Sequence, residues 1–248
     1  MITVFLVRHG ESQSNAGFAT PDPVKVGLTS LGEEQAKEVA AFFKKSAPLK
    51  LIVHSPYLRT KQTAEPTKQS FPTTAVEEWE VQEFTYLSSM HQERSTTQDR
   101  KLLVEVYWTM SEPSFCEPSF RDDLYPYFIL SSHSESFKVF IWRVQAFIRR
   151  LKELDDKCQN IAVFSHEQFI AAVLWCIERG PTEITSDAMR DFRQFFNQNR
   201  LPNGGIVELK VRRGHDMWHH ELITKHLEHA VPGPEPPPIE ELELAGTR

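Results

Sequence analysis

The chain has 248 residues, of which 40% are hydrophobic and 25% are charged, as in globular proteins large enough to bury a core of their own. A net charge of −6 argues against a general nucleic-acid or anionic-membrane surface. No apolar run approaches the roughly 18 residues of a membrane span, and the first run stops at Arg8, too early for a signal peptide. Three cysteines form no disulfide framework and match no metal-binding spacing, which favours reduced thiols in a cytoplasmic protein.

Four short apolar runs predict strands. Residues 2–7, 51–53 and 161–164 are rich in β-branched and aromatic side chains almost without interruption, which is typical of strands buried on both faces of a parallel sheet. Residues 206–211 alternate more clearly between apolar and polar side chains, and we expect this strand nearer an edge.

Helical patterns separate these runs. Ser30 and Glu33 have the spacing of a capping box and open a segment with one apolar face. Residues 137–151 place apolar side chains at i, i+3, i+4 and i+7, which predicts a long amphipathic helix. Residues 168–177 are apolar nearly all round, which predicts a buried helix. Strands that alternate with helices predict an α/β fold with right-handed crossovers.

Two regions interrupt this alternation. Residues 88–134 have weak periodicity and contain three prolines, and we expect an insertion over one end of the sheet. Residues 231–248 contain five of the 16 prolines and carry −3 of the net charge, a composition that predicts a disordered Pro/Glu-rich tail. The expected organisation is therefore a single α/β domain over residues 1–230, with one insertion and one tail.

Three of the predicted strands run into polar residues. Arg8 and His9 follow the first strand, Arg59 comes shortly after the second, and His166 follows the third. Ligands bind outside the carboxyl ends of the strands in open α/β sheets, so we expect these side chains at one edge. Arginine offers a planar fork of donors to phosphate oxygens, and neutral histidine can attack phosphorus to give a covalent intermediate. The pattern indicates a site suited to a phosphoryl group.

The neighbours of these residues resemble, in order along the chain, the motifs of the histidine phosphatase superfamily, also called the phosphoglycerate-mutase-like family. The motifs are Arg8-His9-Gly10-Glu11-Ser12 with Asn15, Ser55-Pro56 with Arg59 and Gln62-Thr63-Ala64, Phe164-Ser165-His166, and the late turn Pro202-Asn203-Gly204-Gly205-Ile206. The matches run from residue 1 to about residue 211. The resemblance implies a three-layer αβα sandwich around a mostly parallel central sheet.

The resemblance also implies roles at the site. His9 would be the nucleophile that becomes phosphohistidine, and a hydrogen bond from its other ring nitrogen to a backbone carbonyl would set its tautomer. Arg8, Arg59 and the second catalytic histidine, His166, would hold the phosphoryl oxygens, with Asn15 as a further contact. The family uses no metal and no other cofactor, because the arginines supply the positive charge.

The general acid of the family is a glutamate beyond the second motif. Glu83 matches best, and Glu78 and Glu80 are rivals because the surrounding pattern is loose. Mutases of the family carry a Glu-x-His-Tyr-Gly-type stretch here, whereas residues 83–87 read Glu-Phe-Thr-Tyr-Leu, which favours a phosphatase. Glu167 departs from the glycine that often follows the second histidine, and it brings negative charge near the expected anion site.

The leading hypothesis is a metal-independent phosphatase that hydrolyses small phosphomonoesters through phosphohistidine. The alternative within the same fold is a phosphoglycerate-type mutase, which returns the phosphoryl group to a substrate hydroxyl. A third, from another class, is a catalytically inactive phosphate-binding scaffold. Neither nucleic acid nor a membrane is an expected partner.

Other polar and aromatic residues have simpler explanations. The motif does not require His54, and Glu11 either faces a cation in the pocket or caps a helix. Trp142 and Trp175 fall within helical apolar patterns, which predicts that both lie in the core. Five histidines follow the last predicted strand, and we do not expect them to bind zinc. They are His215, His219, His220, His226 and His229.

Overall fold

The computed structural model describes residues 2–18, 22–46, 48–86, 97–114, 134–154, 160–211 and 218–228. The predicted tail at residues 231–248 lies outside the described residues, as do residues 88–96 and 115–133 of the predicted insertion. Within that insertion, a helix spans Thr97–Met110.

Six strands of the described residues form one sheet. They are β1 (Ile2–Arg8), β2 (Leu51–His54), β3 (Ala75–Glu78), β4 (Asn160–Ser165), β5 (Ile206–Val211) and β6 (Trp218–Ile223). Their order across the sheet is β3-β2-β4-β1-β5-β6. The first four strands along the chain run parallel, whereas β5 pairs antiparallel with β1 and β6 pairs antiparallel with β5. The sheet is mostly parallel, as predicted, and His9 and His166 follow its two central strands.

Helices cover both faces of this sheet. In the described part of the chain they are α1 (Ser30–Lys45), α2 (Leu58–Ser70), α3 (Thr97–Met110), α4 (Phe137–Glu153), α5 (Glu167–Arg179) and α6 (Ser186–Gln198). One apolar cluster joins the sheet to α1 and α2, and the other joins it to α3, α4, α5 and α6. This arrangement confirms the three-layer αβα sandwich. Within the described residues, no helix is both long enough and apolar enough to cross a lipid bilayer.

The strand β1 shows why the predicted run is apolar without interruption. Val4 and Leu6 belong to the cluster on the α4 side, and Phe5 and Val7 belong to the cluster on the α1 side. Successive side chains of a strand point to opposite faces, so a strand covered on both faces buries nearly every residue, as β1 does except at Thr3.

The start of α1 packs closely against the loop that follows β1. Thr29, and not the predicted Ser30, is the N-cap, because its Oγ1 accepts a hydrogen bond from the Gly32 N–H at 3.1 Å. A Cβ added at Gly32 would lie 2.0 Å from the Glu11 carbonyl oxygen, and one at Gly10 would lie 2.4 Å from the Gly32 carbonyl oxygen. Two glycines therefore let the loop and the helix meet backbone to backbone.

Of the two tryptophans predicted to lie in the core, only one is buried. Trp175 is buried on α5, as predicted, but the prediction for Trp142 on α4 is wrong, because its side chain is 53% exposed. The buried stripe of α4 runs through Phe140, Ile141 and Val144. Trp142 lies just outside this stripe, where Lys138 places its Nζ 5.2 Å from the centre of the indole.

Candidate active site

A pocket of about 280 Å³ lies at the carboxyl ends of the parallel strands. Five of the six predicted site residues line it, namely Arg8, His9, Asn15, Arg59 and Glu83. The sixth, His166, is fully buried behind this lining, with its ring centre 5.1 Å from that of His9. Segments far apart in the sequence therefore converge at one place, as the strand-end argument predicts.

His9 is held as a neutral imidazole. Its Nδ1 lies 2.7 Å from the carbonyl oxygen of Gly10, which can only accept, so Nδ1 carries the proton. Its Nε2 accepts a hydrogen bond from Arg59 Nε at 3.1 Å. Burial, together with the positive charges of Arg59 and Arg8, holds the pKa of His9 well below its usual 6.5. The expected backbone hydrogen bond is present, and it leaves the lone pair on Nε2.

Arg59 links the two histidines. Its Nη2 donates to His166 Nδ1 at 3.0 Å, and its Nη1 donates to the Pro23 carbonyl oxygen at 2.7 Å. Since His166 Nδ1 accepts, its Nε2 carries the proton and donates to Ser55 Oγ at 2.8 Å. Burial, followed by the charge of Arg59, holds the pKa of His166 well below its usual value. Burial also lowers the pKa of Arg59 to about 10, which leaves the guanidinium charged at neutral pH.

The negative charge of Glu167 is neutralised inside the protein. Its carboxylate lies 3.2 Å from Arg8 Nη1 and accepts two hydrogen bonds from Arg200, at 2.6 and 3.2 Å. The backbone N–H of Leu201 donates to the same carboxylate, and the carbonyl of Leu201 accepts from Arg8 Nη1. Arg8 Nε is buried and has no hydrogen-bond partner among the described residues. Arg8 is therefore anchored at one end of its guanidinium and has a donor available at Nε.

Asn15 lines the pocket and is held by its amide oxygen. That Oδ1 accepts from the backbone N–H of Ser12 at 3.2 Å, from the Ser12 hydroxyl at 3.0 Å and from Asn203 Nδ2 at 3.1 Å. Asn203, in the late turn of the sequence motif, also donates to the carbonyl oxygen of His9 at 3.1 Å. The amide N–H groups of Asn15 are the part of the side chain left to donate to a ligand.

Only one of the three rival glutamates lines the pocket. Burial raises the pKa of Glu83 above its usual 4.5, although Arg59 opposes this shift, and the Phe84 N–H donates to its Oε1 at 3.1 Å. Glu78, at the end of β3, pairs instead with Lys61 at 2.9 Å. Glu80 is exposed and lies outside the pocket lining. A half-buried carboxyl with a raised pKa keeps its proton to a higher pH than a free glutamate does, which suits it to proton transfer.

The remaining sequence candidates have structural roles. His54 Nδ1 lies 3.0 Å from the Ser55 carbonyl oxygen, outside the pocket lining. Glu11 accepts from the Thr29 hydroxyl at 2.7 Å, which agrees with the helix-start interpretation. In the described part of the chain, no three His, Cys, Asp or Glu side chains form a group able to hold a metal ion. His215 and His229 lie outside that part.

Several pocket residues were not selected by the sequence analysis. Tyr57 and residues 84–86 give the pocket an aromatic wall, and the Tyr57 hydroxyl lies 3.1 Å from Thr85 Oγ1. Tyr57 and residues 84–86 adjoin matched motifs, so their position in the chain could have identified them. Pro23 and Val26 also line the pocket, but they belong to no recognisable pattern.

The fold and the pocket together define an α/β protein that gathers two arginines and two neutral histidines at the ends of a mostly parallel sheet. The chain belongs to the histidine phosphatase superfamily (branch 1), whose profile matches residues 4–218. This match confirms the resemblance inferred from the motifs.

Solved structures share the fold at low sequence identity. The alpha-ribazole phosphatase from Shigella flexneri is 18% identical, with a TM-score of 0.63 over 91% of this chain and 97% of its own. A mycobacterial glucosyl-3-phosphoglycerate phosphatase is 16% identical, with a TM-score of 0.59 over 90% and 98%. Phosphoserine phosphatase from Entamoeba histolytica is 18% identical, with a TM-score of 0.60 over 91% and 99%. At these identities the similarity establishes the fold alone.

A curated sequence match is short. A PE-PGRS family protein of Mycobacterium tuberculosis, PE_PGRS11, is 39% identical over 69 residues. The match covers 26% of this chain and 11% of that protein, so it spans a small part of the relative's length.

Proposed function

We propose that this protein is a metal-independent phosphatase that hydrolyses small phosphomonoesters through a phosphohistidine on His9. The observation that carries the proposal is the state of His9, a neutral imidazole whose lone pair on Nε2 faces the guanidinium of Arg59. Membership of the histidine phosphatase superfamily supports it. Three proteins that share the fold are phosphatases, which agrees with it.

Arg8 and Arg59 would bind the phosphoryl oxygens. Arg8 Nε is already buried without a partner among the described residues, and Arg59 Nε would turn from His9 to the phosphate. His166 would complete the phosphoryl contacts, as its motif implies, and its Nδ1 would keep Arg59 in place. Asn15 would donate an amide N–H. Fixed donors around the developing charge stabilise the transition state without reorganisation.

The reaction would proceed in two displacements. His9 Nε2 attacks phosphorus and the ester P–O bond breaks, while Glu83 donates its proton to the leaving oxygen. Water then attacks the phosphohistidine, the P–N bond breaks, and the Glu83 carboxylate takes a proton from the water. Phosphate leaves, and both side chains return to their starting forms.

A mutase would use the same first displacement and a different acceptor. In that case a substrate hydroxyl, and not water, would take the phosphoryl group from His9. Release of inorganic phosphate supports the phosphatase, whereas formation of an isomeric phosphoester without phosphate supports the mutase. Binding of phosphate without either product supports the inactive scaffold.

The decisive experiment measures phosphate release from p-nitrophenyl phosphate by protein treated with EDTA, with His9→Ala as the test variant. We expect at least about a 10³-fold loss of turnover in His9→Ala, because the nucleophile is absent. His54→Ala is the matched control and should retain activity, since His54 ends a neighbouring strand and lies outside the pocket lining. Substantial turnover by His9→Ala would reject the nucleophile assignment.

We retain two further expectations as part of the proposal. One is a single domain over residues 1–230, which the family match over residues 4–218 supports. The other is a cytoplasmic location, supported by a cysteine content without a disulfide framework.

A further inference from the structure

We infer that Arg143, on α4, is a positioning residue that holds the segment carrying Glu83 against the pocket, through an ion pair with Glu135. The inference rests on the proposed function, because holding this segment matters to catalysis only if Glu83 transfers the proton. We call residues 80–85 the acid segment.

The acid segment has no helix or strand to position it. Its carbonyl groups are instead held by side chains that reach it from elsewhere. Arg143 Nη1 donates to the carbonyl oxygen of Glu80 at 3.1 Å and to that of Gln82 at 2.9 Å. Ser165 Oγ, at the end of β4, donates to the intervening carbonyl of Val81 at 2.6 Å. Three consecutive carbonyls before Glu83 are therefore bound to side chains.

Glu135, the ion-pair partner of Arg143, contacts the acid segment on the other side of Glu83. Arg143 donates to the Glu135 carboxylate through both Nε and Nη2, in a two-pronged arrangement. The backbone N–H of Glu135 donates to the carbonyl oxygen of Thr85 at 2.7 Å. The side chain of Arg143 and the backbone of its partner Glu135 thus hold the chain before and after Glu83, whose carboxyl group lines the pocket.

Arg143 is itself held in one orientation. Its guanidinium lies 5.3 Å from the ring centre of Phe140 and 5.4 Å from that of Phe169. Its side chain is 10% exposed. A guanidinium with five donors in a fixed plane can bind two carbonyls and a carboxylate at once, whereas a lysine ammonium cannot reproduce this geometry.

The test is Arg143→Lys, which keeps a positive charge near His166 and removes the planar fork. We expect kcat/KM for an alkyl phosphate such as glycerol phosphate to fall by about 10- to 100-fold, because a displaced acid no longer reaches the leaving oxygen. The kcat/KM for p-nitrophenyl phosphate should stay within about threefold of the wild type, because its leaving group needs little protonation. A purely structural defect would instead lower kcat/KM for both substrates by a similar factor.

Arg150→Lys is the matched control on the same helix. Arg150 stacks on Trp79 at 3.7 Å and pairs with Glu77, and neither contact involves the acid segment. We expect Arg150→Lys to leave kcat/KM unchanged for both substrates. Glu135→Gln keeps the shape of the ion pair, and we expect a smaller loss with the same selectivity for the alkyl phosphate. If Arg143→Lys does not fold, Glu135→Gln tests the role of the ion pair in its place.

Glu83→Gln separates failure of this inference from failure of the proposed function. If Glu83→Gln slows the alkyl phosphate selectively, Arg143→Lys should do the same, and the double variant should be no slower than Glu83→Gln alone. Equal loss on both substrates in Arg143→Lys, or additive losses in the double variant, would overturn the role of Arg143 while leaving Glu83 as the acid. No selectivity in Glu83→Gln would overturn the acid assignment and the role of Arg143 together.

Discussion

Glu167 is a carboxylate that lines the proposed phosphate pocket, and its partners explain why it is tolerated there. It is shared between Arg8 and Arg200, and it is almost fully buried. One carboxylate between two guanidiniums leaves this group of three side chains with a net positive charge. The carboxylate also holds Arg8 in a defined orientation.

We predict that Glu167→Ala destabilises the free protein by about 3 kcal/mol, because it leaves the buried Arg8 without a counter-charge. Added inorganic phosphate should restore part of this loss, since an anion that binds only the folded state raises its stability. The measurement is urea unfolding with and without phosphate.

Glu78→Ala is the control for this prediction, because Glu78 makes a half-exposed ion pair with Lys61. Such a pair contributes at most about 1 kcal/mol. A Glu167→Ala protein as stable as Glu78→Ala would show that Arg8 does not depend on this carboxylate.

Individual site residues were predictable from the sequence to different degrees. Arg8, His9 and His166 lie at the ends of apolar strands and Arg59 follows one within five residues, so a strand-end argument places them without a structure. The choice among the three rival glutamates depends on the path of the chain after β3, which has no periodicity to interpret. Only the three-dimensional course of the acid segment separates Glu83 from its neighbours.

At the scale of elements, the close contact between α1 and the loop after β1 leads to a second prediction. Gly32→Ala should destabilise the protein although alanine is the better helix former by about 1 kcal/mol, because its Cβ would collide with the Glu11 carbonyl oxygen. Turnover of p-nitrophenyl phosphate should fall as well, since the displaced loop follows His9 directly.

Gly180→Ala provides the comparison. Gly180 ends α5 in the left-handed conformation, and an added Cβ meets nothing within 4 Å. This variant should lose about 1 kcal/mol from backbone strain and keep its activity. Equal activity in the two variants would show that the contact at Gly32 does not support the site.

Three elements that the sequence analysis did not predict, β3, α2 and α6, differ in how much signal their sequences carry. The strand β3 is exposed along its whole length, so it has no buried face to produce a pattern. The helix α2 buries Arg59, Thr60 and Thr63, whose polar groups contact the site and its loops, so it lacks an apolar stripe. The helix α6 does carry a sequence signal, because Met189, Phe192, Phe195 and Phe196 form an apolar stripe at helical spacing.

For the molecule as a whole, two buried neutral histidines predict that the free energy of unfolding falls as the pH is lowered. The folded-state pKa values of His9 and His166 lie below 6.5, so the unfolded chain binds more protons as the pH falls through 6.5. The stabilising contribution is present above that pH and is lost below it, by at most about 1.4 kcal/mol per pH unit for each histidine. The raised pKa of Glu83 acts in the opposite sense, since its contribution is lost as the pH rises.

The measurement is the free energy of unfolding at a series of pH values between about 7 and 5, where the unfolded histidines take up protons. His9→Ala should flatten the acid side of this curve relative to the wild type, because one of the two groups is removed. An unchanged slope would mean that His9 titrates normally in the folded protein. His54→Ala is again the control, as His54 lies outside the pocket lining.

The long span of chain between contacting site residues has a consequence for synthesis on the ribosome. Arg8 bonds to the carbonyl of Leu201, and Asn203 bonds to the carbonyl of His9, so partners separated by more than 190 residues must meet. During translation, the amino-terminal half of the site is made long before Leu201, Asn203 and the strand β5 that follows them. An emerging chain that ends before residue 201 lacks both bonds, and the pocket acquires its final geometry only once that late turn has left the exit tunnel.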